Sequence, residues 1–410
     1  MMREKVYDLI IVGAGPAGSG TALYAAQNGL SVLLLDKAQF PRDKICGDAI
    51  SGKSMMVLKE LGLLEEAKKL PSAYIDSVIF GSPTFKTVQI ALQANKKKGL
   101  PPGLVIRREI FDAFLFDNAS KAVETVKENF EVNALVPTDG KVSGVLGKDL
   151  NNGVTLQFKG KIIIGADGFN SIVARSTQCF DNNPEHWVVA LRQYYKNVKG
   201  LDKQVELHYL DEVQPGYLWI FPAGNGWANV GVGMLQDTLK RHNINLKRIL
   251  KEAIENPVFR DRFAEAKAVE KPRGWNLPVG SLHRKNHGHG FMLLGDAAGL
   301  IDPFTGEGIG NALFSAKIAA QTAREAVNAN DFSENFLSRY DQELWNALGN
   351  ELALSSKLQR IGRNRFLLNM VINKASRNKE IREIISGMMA DQVPKTKLTN
   401  PLFYLRVLFS

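Results

Sequence analysis

Apolar residues fall along the chain in three patterns: short continuous runs, alternating runs and longer amphipathic stretches. Tyr7–Gly13 (YDLIIVG) and Leu30–Asp36 (LSVLLLD) are continuous, as in strands buried on both faces of a parallel sheet. Small, helix-compatible residues from Ala17 to Asn28 separate them. Together they predict a strand–helix–strand unit of about thirty residues, the half-fold that holds one mononucleotide. Ser51–Lys69, Ile110–Phe130, Leu246–Lys267 and Gly308–Val327 predict helices. Ile75–Leu92 predicts strands, Val142–Val145 with Val154–Phe158 a hairpin, and Lys161–Ala166 and Phe291–Gly295 further buried strands. Between Trp187 and Leu235 the pattern alternates and is rich in aromatics, which predicts an antiparallel sheet with one exposed face. The remainder is mostly helical, and nothing repeats at a solenoid period.

The expected fold is therefore α/β. A Rossmann-type nucleotide-binding domain is discontinuous over residues 1–74, 104–184 and 285–340. An inserted antiparallel β-sheet substrate domain takes 75–103 and 185–284, and a helical C-terminal region takes 341–410.

Composition narrows this only a little. The chain has 410 residues, 45% hydrophobic and 23% charged, which excludes global disorder, collagen-like repeats and coiled coil. Two cysteines, Cys46 and Cys179, cannot form a disulfide framework, so a reducing, cytoplasmic compartment is expected. No run reaches the roughly 20 apolar residues of a membrane span. The first strand begins near Tyr7, which leaves no room for a signal peptide ahead of it.

Charge is uneven. Of the net +10, a net of +7 lies in Glu351–Ser410, where 11 basic residues face 4 acidic ones. Apolar residues are woven through this region (Phe366, Leu367, Leu368, Met370, Val371, Ile372, then Leu402 to Phe409). The pattern suits a helix pair packed on the body, or peripheral contact with an anionic membrane. Nucleic acid is not expected, because no recognition module is present.

Three glycine-and-aspartate turns carry the chemistry. The first, Gly13-Ala14-Gly15-Pro16-Ala17-Gly18, lies between strand and helix. Gly13 permits the tight turn, Gly15 the approach of a pyrophosphate, and Gly18 close packing of helix on strand. The helix start offers N–H groups and the positive dipole end to phosphate. Asp36, followed by Lys37, closes the second strand eighteen residues after Gly18, where a carboxylate accepts from ribose hydroxyls. The second turn is Gly165-Ala166-Asp167-Gly168, continuing to Arg175. The third runs from Gly295-Asp296 through Pro303 and Gly306 to Gly308-Ile309-Gly310 and opens a long helix. None of the six histidines joins other ligands at metal spacing, so no metal is expected.

With these turns the chain resembles the FAD-dependent oxidoreductases of the p-hydroxybenzoate hydroxylase-like superfamily. The resemblance covers most of residues 7–327 and implies FAD as cofactor. It implies that Asp296 bonds the ribityl chain and that Gly308 and Ile309 face the flavin pyrimidine edge. It also implies that Arg108 contacts FAD, that Val136 touches the adenine, and that Asp167 with Gly168 shapes the supporting loop. A glycine-rich helix start stabilises the negative charge of reduced flavin.

Two further segments resemble the geranylgeranyl reductase family. Pro215-Gly216-Tyr217-Leu218-Trp219-Ile220-Phe221-Pro222 matches its PxxYxWxFP pattern. Lys44-Ile45-Cys46-Gly47-Asp48 is similar to its KxCG segment, with Asp48 where glycine is common. The resemblance implies reduction of isoprenoid double bonds, of geranylgeranyl or prenyl-quinone type, by hydride transfer from reduced flavin. The electron donor, NAD(P)H or ferredoxin-like, stays open.

In a strand Tyr217, Trp219 and Phe221 share one face. With Pro222 they are the candidate substrate wall, and sheet core is the competing explanation. Tyr217, Trp219 and Cys46 are the candidate catalytic residues, and Cys46 and Gly47 are placed against the flavin. The rival functions on these residues are an FAD-dependent monooxygenase, a halogenase and a non-catalytic electron carrier.

Overall fold

The computed structural model describes residues 5–92, 94, 99–213 and 216–389. Pro215, residues 93 and 95–98, and the tail with Lys395, Lys397, Arg406 and Leu402–Phe409 lie outside the described residues.

Val6–Val12 is the central strand of an eight-stranded sheet. Thr155–Gly165 flanks it on one side and Val32–Leu35 on the other, all parallel, with Phe291–Leu293 and Thr125–Lys127 beyond them. Every residue from Leu9 to Ile11 and from Val32 to Leu35 is fully enclosed, as continuous apolar runs require when helices cover both faces. Register sets where the strands stop. Val12 pairs with Gly165 and with Leu35, and Gly165 pairs with Leu293. Four strands therefore end at one level, and each of the three glycine turns begins at that carboxyl edge, where open α/β sheets bind ligands.

The helix expected over Ile110–Phe130 ends at Ala122, and Thr125–Lys127 instead forms the strand beside Val32–Leu35. The stretch Leu246–Lys267 divides into the helices Leu246–Glu255 and Arg260–Phe263, because Pro257 forces Asn256 into extended backbone. Ser51–Lys69 divides at Gly62, whose φ of +77° ends the helix Gly52–Glu60. His287 is buried in the short strand His287–Gly288 beside Asp341.

The second sheet also has eight strands. Trp187–Lys196, Trp227–Leu235, Tyr217–Pro222 and Gln204–His208 are antiparallel neighbours, and Ser77–Gly81 joins Gln204–His208 in parallel. Helix Leu246–Glu255 covers one face, where Ile249 and Leu250 meet Leu218, Ile220, Val230 and Val232. Trp219, Phe221 and Ala190 line the other face. Helix Glu334–Ile361 adds Leu337, Tyr340, Leu344, Leu348 and Leu352 to the first sheet's core. Helices Arg365–Arg377 and Lys379–Met389 pack on strand Thr87–Ala91 of the second sheet. The described part of the basic C-terminal region, up to Met389, thus packs on the body. Among the described residues no helix is long and apolar enough to cross a membrane.

Candidate active site

The first turn is shaped by close approach. Gly13 has a φ of +97°, and a Cβ there would lie 2.4 Å from the Ala166 carbonyl oxygen, against the second turn. A Cβ on Gly18 would lie 1.7 Å from the Gly13 carbonyl oxygen. Both positions demand glycine. Ala17 touches the third turn, 3.2 Å from where a Cβ on Gly295 would stand. The three turns therefore form one cradle.

Asp36 uses its carboxylate on the backbone. Oδ2 accepts from Ala14 N–H at 2.7 Å and Oδ1 from Ala38 N–H at 2.8 Å. It fixes the strand end to the glycine turn, and Lys37 points outward, exposed. Val136 lies half-buried on the strand Phe130–Thr138, away from the turns in sequence.

Asp167 Oδ2 accepts from Ile172 N–H at 2.7 Å, whereas Oδ1 is buried with no partner. Burial pushes its carboxyl pKa up. Gly168 has a φ of +75° and open space around its Cα. In the third turn, a Cβ on Gly308 would lie 3.8 Å from Asp296 Oδ1. Helix Ile309–Ala329 starts at Gly308, which has no side chain to cap it, and Glu307 Oε1 instead accepts from the Gly310 N–H at 2.5 Å.

Cations gather over this cradle. Arg42 Nη2 lies 3.5 Å from where a Cβ on Gly15 would stand, and Arg42 Nη1 donates to Asp112 Oδ2 at 2.6 Å. Arg108 pairs with both oxygens of Asp112, at 2.5 and 2.7 Å. Desolvation acts to raise the Asp112 pKa, but the two guanidiniums beside it hold its carboxyl below the usual range. Lys44 Nζ lies 4.0 Å from Asp296 Oδ2 and 4.3 Å from the Trp275 ring centre. Burial pushes its ammonium down to about 8. Trp275 Nε1 is buried with no partner.

A glycine cradle that a Cβ would fill and two orphaned buried polar atoms, Asp167 Oδ1 and Trp275 Nε1, fit a dinucleotide with a polar ring edge. In that fit, Gly13, Gly15 and Arg42 would face the pyrophosphate, and Asp296, Gly308 and Ile309 would face the ribityl chain and ring.

The substrate-side residues meet the cradle through one loop. Gly47 stands 3.2 Å (as a Cβ) from the Phe221 ring. Cys46 carbonyl accepts from Asn229 Nδ2 at 2.7 Å, and the Cys46 thiol accepts from Asp48 N–H at 3.4 Å. Burial pushes the thiol pKa up, so Cys46 is held as a thiol. Tyr217, Trp219 and Phe221 share one apolar cluster with Val205, Leu207 and Leu277. The Trp219 indole lies over Gly231, where a Cβ would be 2.2 Å from the ring. Tyr217 reaches back to the third turn: its hydroxyl donates to the Thr305 carbonyl at 3.2 Å, and burial pushes its pKa up to about 12. Pro222 ends the wall, buried opposite Ala228.

A polar network lies beneath the wall, and sequence reasoning missed it. Trp219 Nε1 donates to Asn229 Oδ1 at 2.8 Å, and Asn229 Nδ2 and the Tyr194 hydroxyl donate to Asp48 Oδ2 at 2.7 and 2.6 Å. Arg192 lies 3.8 Å above the Tyr194 ring. Asp48 is fully enclosed with a φ of +67°, a backbone state that costs an L-residue unless its side chain is anchored. Burial raises its carboxyl to about 6 against the opposing pull of these donors. One signal was readable: Asp48 itself, an acid where the resembling KxCG segment commonly has glycine. A lone Asn in the apolar strand WANVGVGML was another. Nothing in the sequence marked Tyr194.

The fold and cradle define an FAD-dependent oxidoreductase, and comparisons with known proteins agree. Residues 6–343 match the FAD binding domain family. The digeranylgeranylglycerophospholipid reductase of Methanosarcina acetivorans is 33% identical over 346 residues, 83% of this chain and 81% of that protein. The enzyme of that name from Methanococcus vannielii is 30% identical over 96% of each. A crystal structure of a geranylgeranyl bacteriochlorophyll reductase-like protein from Thermoplasma acidophilum superposes with a TM-score of 0.83, at 26% identity, over 97% of this chain and 99% of that one. A flavin-dependent brominase variant shares the fold alone, at 22% identity and a TM-score of 0.76 over 98% of each chain. The chain belongs to the FAD binding domain family and, within it, to the geranylgeranyl reductase family.

Proposed function

We propose that this enzyme reduces carbon–carbon double bonds in isoprenoid chains. The observation that carries this reading is the aromatic wall of Tyr217, Trp219 and Phe221, closed against Cys46-Gly47 and joined to the flavin turn through Tyr217 and Thr305. The names of its relatives support it. Bound FAD supplies the two-electron reductant.

The residues of this chain do the rest. The wall excludes water and holds a flexible apolar chain in register with the cradle, and such alignment lowers the barrier for an unactivated alkene. Positive charge developing on carbon is favoured by the ring faces of Trp219 and Tyr217. Asn229 pins the Trp219 indole, and Asp48 pins Asn229. Net reduction also needs a proton. Tyr217, neutral up to about pH 12, and the protonated Cys46 thiol are the two donors at the junction. Lys44 faces Asp296 and adds positive charge beside the expected flavin ring.

The test is anaerobic. The FAD-loaded protein is reduced with dithionite and given geranylgeraniol, and the product is weighed by mass spectrometry. Gain of two hydrogens per double bond with flavin reoxidation is expected. Product that forms only with oxygen would identify a monooxygenase, and no product under either condition would leave an electron carrier.

A further inference from the structure

Residues 302–307 of the third turn lie between the aromatic wall and helix Glu334–Ile361. On the wall side, the Tyr217 hydroxyl donates to the Thr305 carbonyl at 3.2 Å. Gly306 has a φ of +74°, and a Cβ there would stand 3.1 Å from the Tyr217 hydroxyl oxygen. The turn thus meets that hydroxyl at two successive residues.

On the helix side, Glu351, Ser355 and Gln359 recur every four residues and so share one face. Ser355 Oγ donates to Asp302 Oδ2 at 2.5 Å, and Gln359 Nε2 donates to the Pro303 carbonyl at 2.8 Å. Glu351 pairs with Lys53 at 3.0 Å, and Lys53 Nζ donates on to Asn311 Oδ1 at 2.6 Å, in the helix that the turn opens. A polar stripe on one helix therefore grips the third turn from behind.

Asp302 joins the two sides. It is buried, as is Ser355. Its Oδ1 accepts from the Phe304 and Thr305 N–H groups at 2.9 and 2.8 Å. Its own N–H donates to the Glu307 carbonyl at 2.8 Å, and its carbonyl accepts from the Gly306 N–H at 3.0 Å. One carboxylate folds the loop, and Ser355 fixes that carboxylate. After burial, the charge of Asp302 is also the next cause that keeps the Tyr217 hydroxyl protonated. A continuous chain of hydrogen bonds runs from Ser355 through Asp302 and Thr305 to Tyr217.

We propose that Ser355 is a positioning residue for the reaction: through Asp302 it sets where the third turn holds the Tyr217 hydroxyl. The inference rests on the reading of Tyr217 as part of the wall of an isoprenoid reductase. It brings into the site a residue that lies beyond the stretch 6–343 matching the FAD binding domain family.

The FAD-loaded protein is compared as wild type, Ser355→Ala, Tyr217→Phe and the double variant, with Ser356→Ala as control. Ser356 is buried on the same helix and donates to the Leu352 carbonyl within it. Single-turnover reduction of geranylgeraniol by the dithionite-reduced protein is read as flavin reoxidation. Ser355→Ala takes the hydroxyl donor from a buried carboxylate and is expected to slow this step about tenfold. Its half-saturating substrate concentration and FAD content should be unchanged, and Ser356→Ala should match wild type. In the Tyr217→Phe background the same change should cost less than about twofold, because the hydroxyl it positions is gone. Hydrogen exchange, read by mass spectrometry on peptides covering 302–307, needs no turnover. Ser355→Ala should speed it about tenfold while helix Glu334–Ile361 stays protected.

A full loss that persists in the Tyr217→Phe background overturns the proposal, since Ser355 then acts elsewhere. Wild-type turnover in Ser355→Ala or in Tyr217→Phe overturns it too, as does unchanged exchange in the turn. Exchange that rises along the whole helix assigns Ser355 to helix packing and overturns it as well. Should Ser355→Ala fail to fold, Gln359→Met removes the Pro303 contact from a half-buried site and carries the same cycle and the same exchange reading. Geranylgeraniol left unreduced by the wild type overturns the isoprenoid reading, and exchange in the turn then decides the role of Ser355 by itself.

Discussion

The dinucleotide cradle and the aromatic wall of Tyr217, Trp219 and Phe221 adjoin each other, yet different physics builds them. In the cradle the decisive atoms are backbone, and side chains are excluded: Gly13 and Gly18 leave no room for a methyl group. Its three turns meet because four parallel strands end in register at Val12, Leu35, Gly165 and Leu293. The wall depends on large side chains held by a buried polar network. Trp219, Asn229, Asp48 and Tyr194 come from three strands and a loop, and each is useful only if the others are in place. At Gly13 and Gly18 the cradle tolerates no added atom, and the wall tolerates no lost partner.

The sharpest way to break the comparison is at the cradle. Gly18→Ala forces a methyl group into the Gly13 carbonyl, and Gly13→Ala adds a strained backbone to a similar clash. Each is expected to cost more than about 3 kcal/mol. Purified protein should lack FAD absorbance and melt well below wild type; normal FAD content would mean that the turn opens at little cost. In the wall, Trp219→Ala should keep FAD, because no turn is touched. It should lose about a hundredfold in turnover of a prenyl substrate, along with about 3–5 kcal/mol of stability from the cavity. Trp219→Phe separates packing from the polar network: it retains the wall but leaves Asn229 Oδ1 unpaired, at about 1–3 kcal/mol. Unchanged turnover in both variants would reduce the wall to sheet core.

Asp48 sharpens the contrast through pH. Its folded pKa of about 6 lies above the ordinary 3.8. Between these values the folded chain holds more protons than the unfolded chain, so its contribution to stability is full below about pH 4 and is lost as pH rises through 6. The cost at neutral pH is at most about 3 kcal/mol. Asp48→Asn should flatten that part of the pH–stability profile in urea titrations. A profile identical to wild type would show that the carboxylate is not buried in charged form. The smallest effect concerns Lys44, whose ammonium is held at about 8. Positive charge beside Asp296 fades as pH rises through that value, so FAD affinity should fall severalfold there, measured by fluorescence. Lys44→Met should abolish the inflection, and its persistence would place the titrating group elsewhere.

The sequence by itself determined the cofactor and most of the first sheet. Continuous apolar runs and glycine spacing are local, and a helix start after GxGxxG presents its N–H groups whatever the rest of the chain does. It also determined that Tyr217, Trp219 and Phe221 share a face, since strand period is fixed by the backbone. Other features were decided only by tertiary structure. Val123 to Lys127 left the expected helix because an edge beside Val32–Leu35 was open to a strand. Asp36 turned its carboxylate to Ala14 because the cradle brings that N–H within reach. Tyr194 joined Asp48 across 146 residues, and Lys44 met Trp275 across still more. Contacts of that range leave no periodic trace in a single sequence. They arise from register and packing, which fix where distant side chains meet.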